Sequence, residues 1–290
     1  MTVLGPSNRR TALTPPRRTP AIALAFWLAL YCCASASAGT AAASDRYTPE
    51  YGQLGKDVIW IPTPQPVVER MLDMAGLTPE DRLVDLGSGD GVTVIAAARR
   101  GATARGIEFN PDLVALSKRR ARVAGVAGRA SFERGDIFES DFSDATVVTL
   151  FLLPELNLRL RPVLLAMRPG TRVVSNSFDM GDWTPDATAE VTEDCEHYCD
   201  AMLWVVPAQV AGLWTIDDRR SMELAQSYQK IGGIVREGDA HWILREAVMD
   251  GARIRFSLGE DRYEGEVRDG LMQGTVNGSR PWTATRRPGP

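Results

Sequence analysis

Histidine, cysteine and long apolar runs are all scarce in this chain of 290 residues. The histidines are His197 and His241, and the cysteines are Cys32, Cys33, Cys195 and Cys199. Only Cys195, His197 and Cys199 gather metal-binding residue types, and that cluster lacks a fourth ligand and matches no common zinc spacing, so no resident metal is expected. The same two cysteines suit a local disulfide in an exported chain, with two free thiols as the alternative. Cys32 and Cys33 are preceded by Tyr31 or by another cysteine, which is not a lipoprotein context. Positive charge is short as well: 33 basic residues face 37 acidic ones. Four of the basic residues, Arg9, Arg10, Arg17 and Arg18, fall in the first 38, where there is no acid, so 29 face 37 beyond them. Such a balance does not recruit nucleic acid by phosphate attraction.

The apolar stretch of residues 21–31 and its small-residue end, 34–38, are together barely long enough to span a bilayer. Behind a basic start they predict a secretory signal peptide over residues 1–38, cleaved after Ala36 or Ala38, and export to the periplasm or cell envelope. The alternative is an uncleaved anchor, the only route to a membrane partner. Residues 39–62 form a polar, proline-punctuated extension expected to cross the mouth of the site described next. Trp60 and Thr63 either touch a ligand there or only pack. Thr63 and Pro64 then open a helix with Val67, Val68, Met71, Leu72 and Ala75 on one face, and Gly76 ends it.

What the chain does have is Val84-Asp85-Leu86-Gly87-Ser88-Gly89-Asp90-Gly91, an apolar strand running through a glycine-rich turn into the apolar residues 92–98. Glycines at 87, 89 and 91 let the backbone bend sharply and approach a ligand, and a helix start offers N–H groups to an anion. Asp85 can accept from an ammonium group, so the turn suits a zwitterionic amino-acid moiety. The spacing G-x-G-x-G differs from the dinucleotide fingerprint and argues against NAD. A second strand, residues 102–107, runs into Glu108, a carboxylate about 20 residues past the turn, as a ribose diol asks for. A third, residues 130–134, runs into Gly135-Asp136-Ile137, where Asp136 suits an exocyclic amine and Ile137 a purine face.

Taken together, VDLGSGDG, GIEFNP, RGDIF and MRPGTRVV resemble a class I S-adenosylmethionine-dependent methyltransferase over residues 56–206. The resemblance implies an α/β fold with a Rossmann-like, seven-stranded, mostly parallel sheet, and S-adenosyl-L-methionine as cofactor. It places the methionine moiety over the glycine turn (Asp85, Gly87, Ser88, Gly89, Gly91), Glu108 on the ribose, and Asp136 with Ile137 at the adenine. After the fourth strand, residues 145–153, the Asp/Asn-Pro-Pro-aromatic motif of planar-nitrogen methyltransferases is missing; Leu152-Leu153-Pro154-Glu155 stands there instead. Residues 151–183 resemble the mitochondrial lysine methyltransferases that modify the ATP synthase c subunit and the adenine nucleotide translocase, and more remotely the non-SET histone lysine methyltransferases. That implies a protein lysine as acceptor, with a small molecule or a non-catalytic nucleoside-binding module as alternatives. No catalytic residue is assigned; Glu155, Asn157 and Asp179 stand at strand tips, where each also has a structural reading as helix-start carboxylate, cap or turn residue.

The expected methyltransferase domain covers residues 63–210. A helix begins at Asn157 and meets Pro162, a fifth strand occupies residues 171–178, and residues 188–193 and 201–206 form a closing hairpin. Past Gly212 the text changes to short β-rich runs at 221–231, 241–247, 253–258, 263–267, 271–276 and 282–285, several divided by Asp-Gly or Asn-Gly. Those dipeptides favour hairpin turns. They predict a small antiparallel β domain over residues 211–290, a meander, sandwich or half-barrel.

Overall fold

The computed structural model describes residues 47–288. The expected signal peptide, with Cys32 and Cys33, lies outside them. Strands β1 (Arg82–Leu86), β2 (Thr103–Glu108), β3 (Ala130–Arg134), β4 (Val147–Leu150) and β5 (Arg172–Asn176) are parallel to one another. β6 (Ala187–Glu190) and β7 (Asp200–Val205) close the sheet as an antiparallel hairpin, giving the order β3-β2-β1-β4-β5-β7-β6.

The central strands β1, β4 and β5 are buried on both faces, which is why they read as apolar runs rather than as alternations. Leu83, Val147 and Val174 pack on one side with helices α1 (Gln65–Met74), α2 (Val92–Arg99) and α3 (Pro111–Val123). Their chain neighbours Val84, Val148 and Val173 pack on the other side with α4 (Pro154–Leu165) and with Trp183 and Trp204. Each fully buried leucine or valine contributes about 1.5–3 kcal/mol by leaving water.

Two helix starts differ from expectation. Pro64 rather than Thr63 is the N-cap of α1, and no side chain caps it. α4 begins at Pro154, three residues before Asn157, and continues through Pro162. Proline at the first helical position lacks an N–H that would have been unpaired there anyway and brings a helical φ, so Pro154 can nucleate what Asn157 was expected to start.

The C-terminal part is the expected antiparallel meander, closed on itself into a barrel rather than a sandwich or half-barrel. Its strands are β8 (Gly212–Thr215), β9 (Arg220–Ser227), β10 (Lys230–Glu237), β11 (Ala240–Ile243), β12 (Arg245–Asp250), β13 (Arg253–Leu258), β14 (Asp261–Arg268), β15 (Leu271–Val276) and β16 (Arg280–Arg286). Every pairing is antiparallel, β16 returns to β8, and β9 pairs with β10, so the ring has no free end. β11 and β12 share β10 as partner with a one-residue shift, Ile234↔Ile243 against Lys230↔Val248. They are one bulged strand, and the ring therefore counts eight. Closure removes the edges that an open sheet would expose. Inward side chains fill the interior: Phe256 stacks on Tyr263 at 4.8 Å, and Trp282 meets both edge-on at 5.6 and 5.5 Å.

The run expected at 221–231 is a hairpin whose turn, Tyr228-Gln229, holds Tyr228 at φ 56°. That turn joins barrel to sheet. Tyr228 stacks on the buried Trp183 at 5.9 Å, and Gln229 Nε2 donates to the Thr184 carbonyl at 2.7 Å. Nearby, Ala208 N–H donates to Gly251 O at 2.8 Å.

Candidate active site

β1 sits between β2 and β4, where the order of parallel strands reverses, and the crevice beyond the carboxyl ends of such strands is the usual ligand position in open α/β sheets. A cavity open to solvent lies there. It is lined by Asp85, Gly87, Ser88 and Gly89 from the turn after β1, Glu108 and Asn110 after β2, Asp136 and Ile137 after β3, and Phe151 and Leu152 after β4. Residues 53–63 line its outer side.

The glycine turn is folded onto the tip of β2. Gly87 and Ser88 N–H both donate to Ile107 O, at 2.9 and 3.0 Å, and Gly89 N–H donates to Glu108 Oε2 at 2.9 Å. The other Glu108 oxygen accepts from Asn110 N–H at 2.8 Å. The carboxylate is thus fixed by two amides, and each oxygen keeps acceptor capacity for a hydroxyl. Gly89 has φ 52°, and a Cβ there would lie 2.7 Å from Trp60 Nε1, so the indole lies over the turn. Trp60 and Thr63 both line the cavity. Seven of the eight residues singled out in sequence lie on this lining. Gly91 does not: at φ 83° it is the N-cap of α2, and a Cβ would strike Phe132 and Ser117 at 2.8–2.9 Å. Packing of the helix start alone requires a glycine there.

Asp85 is buried and accepts from Thr149 Oγ1 at 2.6 Å. Burial pushes its carboxyl up to about 7, the Thr149 bond opposes that, and the negative charges of Glu108 and Asp90 reinforce it. The folded protein therefore holds a proton that the unfolded chain releases, and the stability Asp85 contributes is lost as pH rises from the ordinary carboxylate range through about 7. An ammonium ligand inverts this by favouring the ionised form. Affinity for S-adenosylhomocysteine is expected to rise roughly 10-fold between about pH 6 and about pH 8, following the ionised fraction of Asp85, with proton release in calorimetry. Asp85→Asn should bind weakly with a flat profile; an unchanged pH dependence in that variant would remove Asp85 from the ammonium site.

Asp136 is already engaged. Phe138 N–H donates to its Oδ1 at 2.9 Å, and Lys56 forms an ion pair with Oδ2. The Lys56 hydrogen bond holds the Asp136 carboxyl below its usual range, and the same bond raises Lys56. The acceptor that the sequence reserves for an exocyclic amine is shared with this lysine, which also lies 5.3 Å from the centroid of the Phe109 ring. Sequence reading missed Lys56, and likewise Arg120, which forms an ion pair with the cavity residue Asp90.

None of the three side chains considered for proton transfer reaches the cavity lining. Glu155 and Asp179 are exposed, and Asn157 Nδ2 donates to the carbonyls of Phe178 and Asp179 at 3.2 and 3.1 Å. Asn157 is a buried brace between α4 and the chain after β5.

The cavity fits an amino-acid–nucleoside ligand on its own chemistry. It offers a buried carboxyl for an ammonium, an amide-fixed carboxylate for a diol, and in Ser88 Oγ a buried hydroxyl with no partner in the protein. The fold and this donor set define a class I S-adenosylmethionine-dependent methyltransferase. Residues 85–187 match the family described as the ANTKMT methyltransferase domain. A protein-lysine N-methyltransferase of Saccharolobus islandicus is 42% identical over 139 residues, 47% of this chain and 86% of that protein. The mouse lysine N-methyltransferase of the ATP synthase c subunit is 44% identical over 107 residues, 37% of this chain and 43% of its own length. Among solved structures, a Salinibacter ruber RNA methyltransferase bound to S-adenosylhomocysteine is 50% identical, covering 52% of this chain and 96% of its own, with a TM-score of 0.49. The chain belongs to the ANTKMT-type S-adenosylmethionine-dependent methyltransferases, and spans less than half of the mouse relative.

Proposed function

We propose that this protein methylates the ε-amine of lysine in a protein substrate. The observation that carries the proposal is the 42% identity to an archaeal protein-lysine N-methyltransferase across 86% of that protein. Two properties of the chain support it: the acidic balance beyond residue 38 attracts a basic target, and residues 151–154 carry Phe-Leu-Leu-Pro where planar-nitrogen enzymes place Asp/Asn-Pro-Pro-aromatic.

In this reading Asp85 holds the cofactor's ammonium, Glu108 its ribose hydroxyls, and Asp136 and Ile137 its adenine. When bound, S-adenosylmethionine supplies an electrophilic methyl that an amine lone pair accepts as the sulfur–carbon bond breaks. The chain's own contribution is orientation and exclusion of water: Trp60 covers the glycine turn and residues 53–63 wall the outer side. The Cys195–Cys199 disulfide supports an oxidising compartment, hence export, as the place of action.

The test is to incubate the purified protein with methyl-labelled cofactor and, separately, cell-envelope and cytosolic extracts, then digest with protease or ribonuclease. Label that precipitates with acid, comes from the envelope extract and disappears on protease treatment is the expected result. Label released by ribonuclease, or confined to the small-molecule or lipid fraction, would overturn the proposal.

A further inference from the structure

The loop between β6 and β7 has no part in the cofactor site, yet it reaches the cavity through one ring. Phe151, which lines the cavity, is met edge-on by Tyr198 of this loop at 5.3 Å and stacked by Phe178 at 6.1 Å; Phe178 and Tyr198 are 5.9 Å apart. Phe151 and Phe178 are half-buried, and Tyr198 is 36% exposed. The result is an aromatic surface that starts inside the cavity and ends in solvent.

The loop is held in place. Cys195 and Cys199 are joined, and Cys195 packs against the core on the α1–α3 side of the sheet. Ser177 Oγ donates to Asn176 Oδ1 at the end of β5, and Ser177 N–H donates to Asp200 O at 2.9 Å, which ties the loop's exit to the strand tip carrying Phe178. Around Tyr198 the loop is acidic: Glu193, Asp194, Glu196 and Asp200 are all exposed.

Resting on the lysine reading above, we propose that the disulfide-closed loop is the acceptor-docking element, with Tyr198 as its contact residue. The occupant is a lysine-bearing basic segment of a protein. Its aliphatic stem and ammonium lie along the rings of Tyr198, Phe178 and Phe151, and its flanking cations meet the loop's carboxylates. The continuity of the rings with the cavity gives the direction of entry. A long alkyl stem ending in a cation suits aromatic faces, because apolar contact serves the stem and the ring quadrupole serves the charge. The same carboxylates repel a phosphate backbone, so this surface separates a basic protein from RNA.

The test uses the full chain with methyl-labelled cofactor and a dilution series of cell-envelope extract, counting ε-N-methyl-lysine after hydrolysis. Tyr198→Ala should raise the apparent KM for acceptor roughly 2- to 30-fold, the range of an aromatic–cation contact, with kcat and S-adenosylhomocysteine affinity unchanged. Tyr198→Phe, which keeps the ring, should restore the wild-type KM. Reversing Asp194 and Glu196 to lysine should also raise KM, and this effect should shrink with added salt. If wild type labels lysine and Tyr198→Ala labels it with the same KM, the docking assignment falls while the lysine reading stands. If wild type labels no lysine, the lysine reading fails and the assignment goes with it.

Discussion

Replacing Glu108 with alanine should weaken binding of S-adenosylhomocysteine roughly 10- to 150-fold. The carboxylate stands at the β2 tip, and a charge-assisted hydrogen bond is worth about 1.5–3 kcal/mol, which converts to that range. The structure adds a second reason. Glu108 also accepts from Gly89 and Asn110 N–H, so alanine leaves both amides without their acceptor and loosens the glycine turn itself. Glu108→Gln separates the two effects: it keeps a carbonyl for one amide and loses the charge, and should fall between wild type and alanine. Isothermal titration at fixed pH measures all three, and an alanine variant that binds like wild type would take Glu108 out of the site.

Gly274→Ala should destabilise the barrel by about 3 kcal/mol, at the upper end of what overpacking a well-filled interior costs. Gly274 and Gly265 face each other across β14 and β15. A Cβ at 274 would lie 1.9 Å from the Glu264 carbonyl oxygen and 2.5 Å from Gly265 Cα, so no rotamer change relieves it and the strands must part. In a ring, parting one pair strains every other, and the stacked Phe256, Tyr263 and Trp282 sit beside it. Thermal unfolding should shift down by roughly 6–12 °C, given about 2–4 °C per kcal/mol for a domain of this size. Gly232→Ala, where a Cβ meets nothing within 4 Å, should leave the midpoint near wild type. Equal midpoints for the two variants would contradict the close strand approach at Gly274.

The parts of the fold legible in sequence were those written locally. A strand running into glycines, and strands running into Glu108 and Asp136, are each a few residues long, and the parallel order of the sheet brings their ends to one cavity. Lys56 was not legible because its partner Asp136 stands 80 residues away, and a lysine in a proline-punctuated stretch carries no local mark. The packing at Gly91 was hidden for the opposite reason: it shares the turn's spacing, but a Cβ there would meet Phe132 and Ser117, which only the packed structure brings near. Barrel closure depends on β16 meeting β8 and β9 meeting β10. The first pairing joins ends some 70 residues apart, as Thr285↔Thr215 shows, and the turn that makes the second is Tyr-Gln rather than Asn-Gly. The aromatic surface was hidden likewise, since Phe151, Phe178 and Tyr198 lie on three separate segments.

Acid hydrolysis of the protein labelled from methyl-labelled cofactor, followed by chromatography of the amino acids, bears most directly on the central claim. The account predicts that the label elutes as ε-N-methyl-lysine and that Glu108→Ala lowers it in parallel with the loss of cofactor affinity. Label eluting with another amino acid or with a methylated nucleoside, while S-adenosylhomocysteine still binds the Glu108 site, would contradict it.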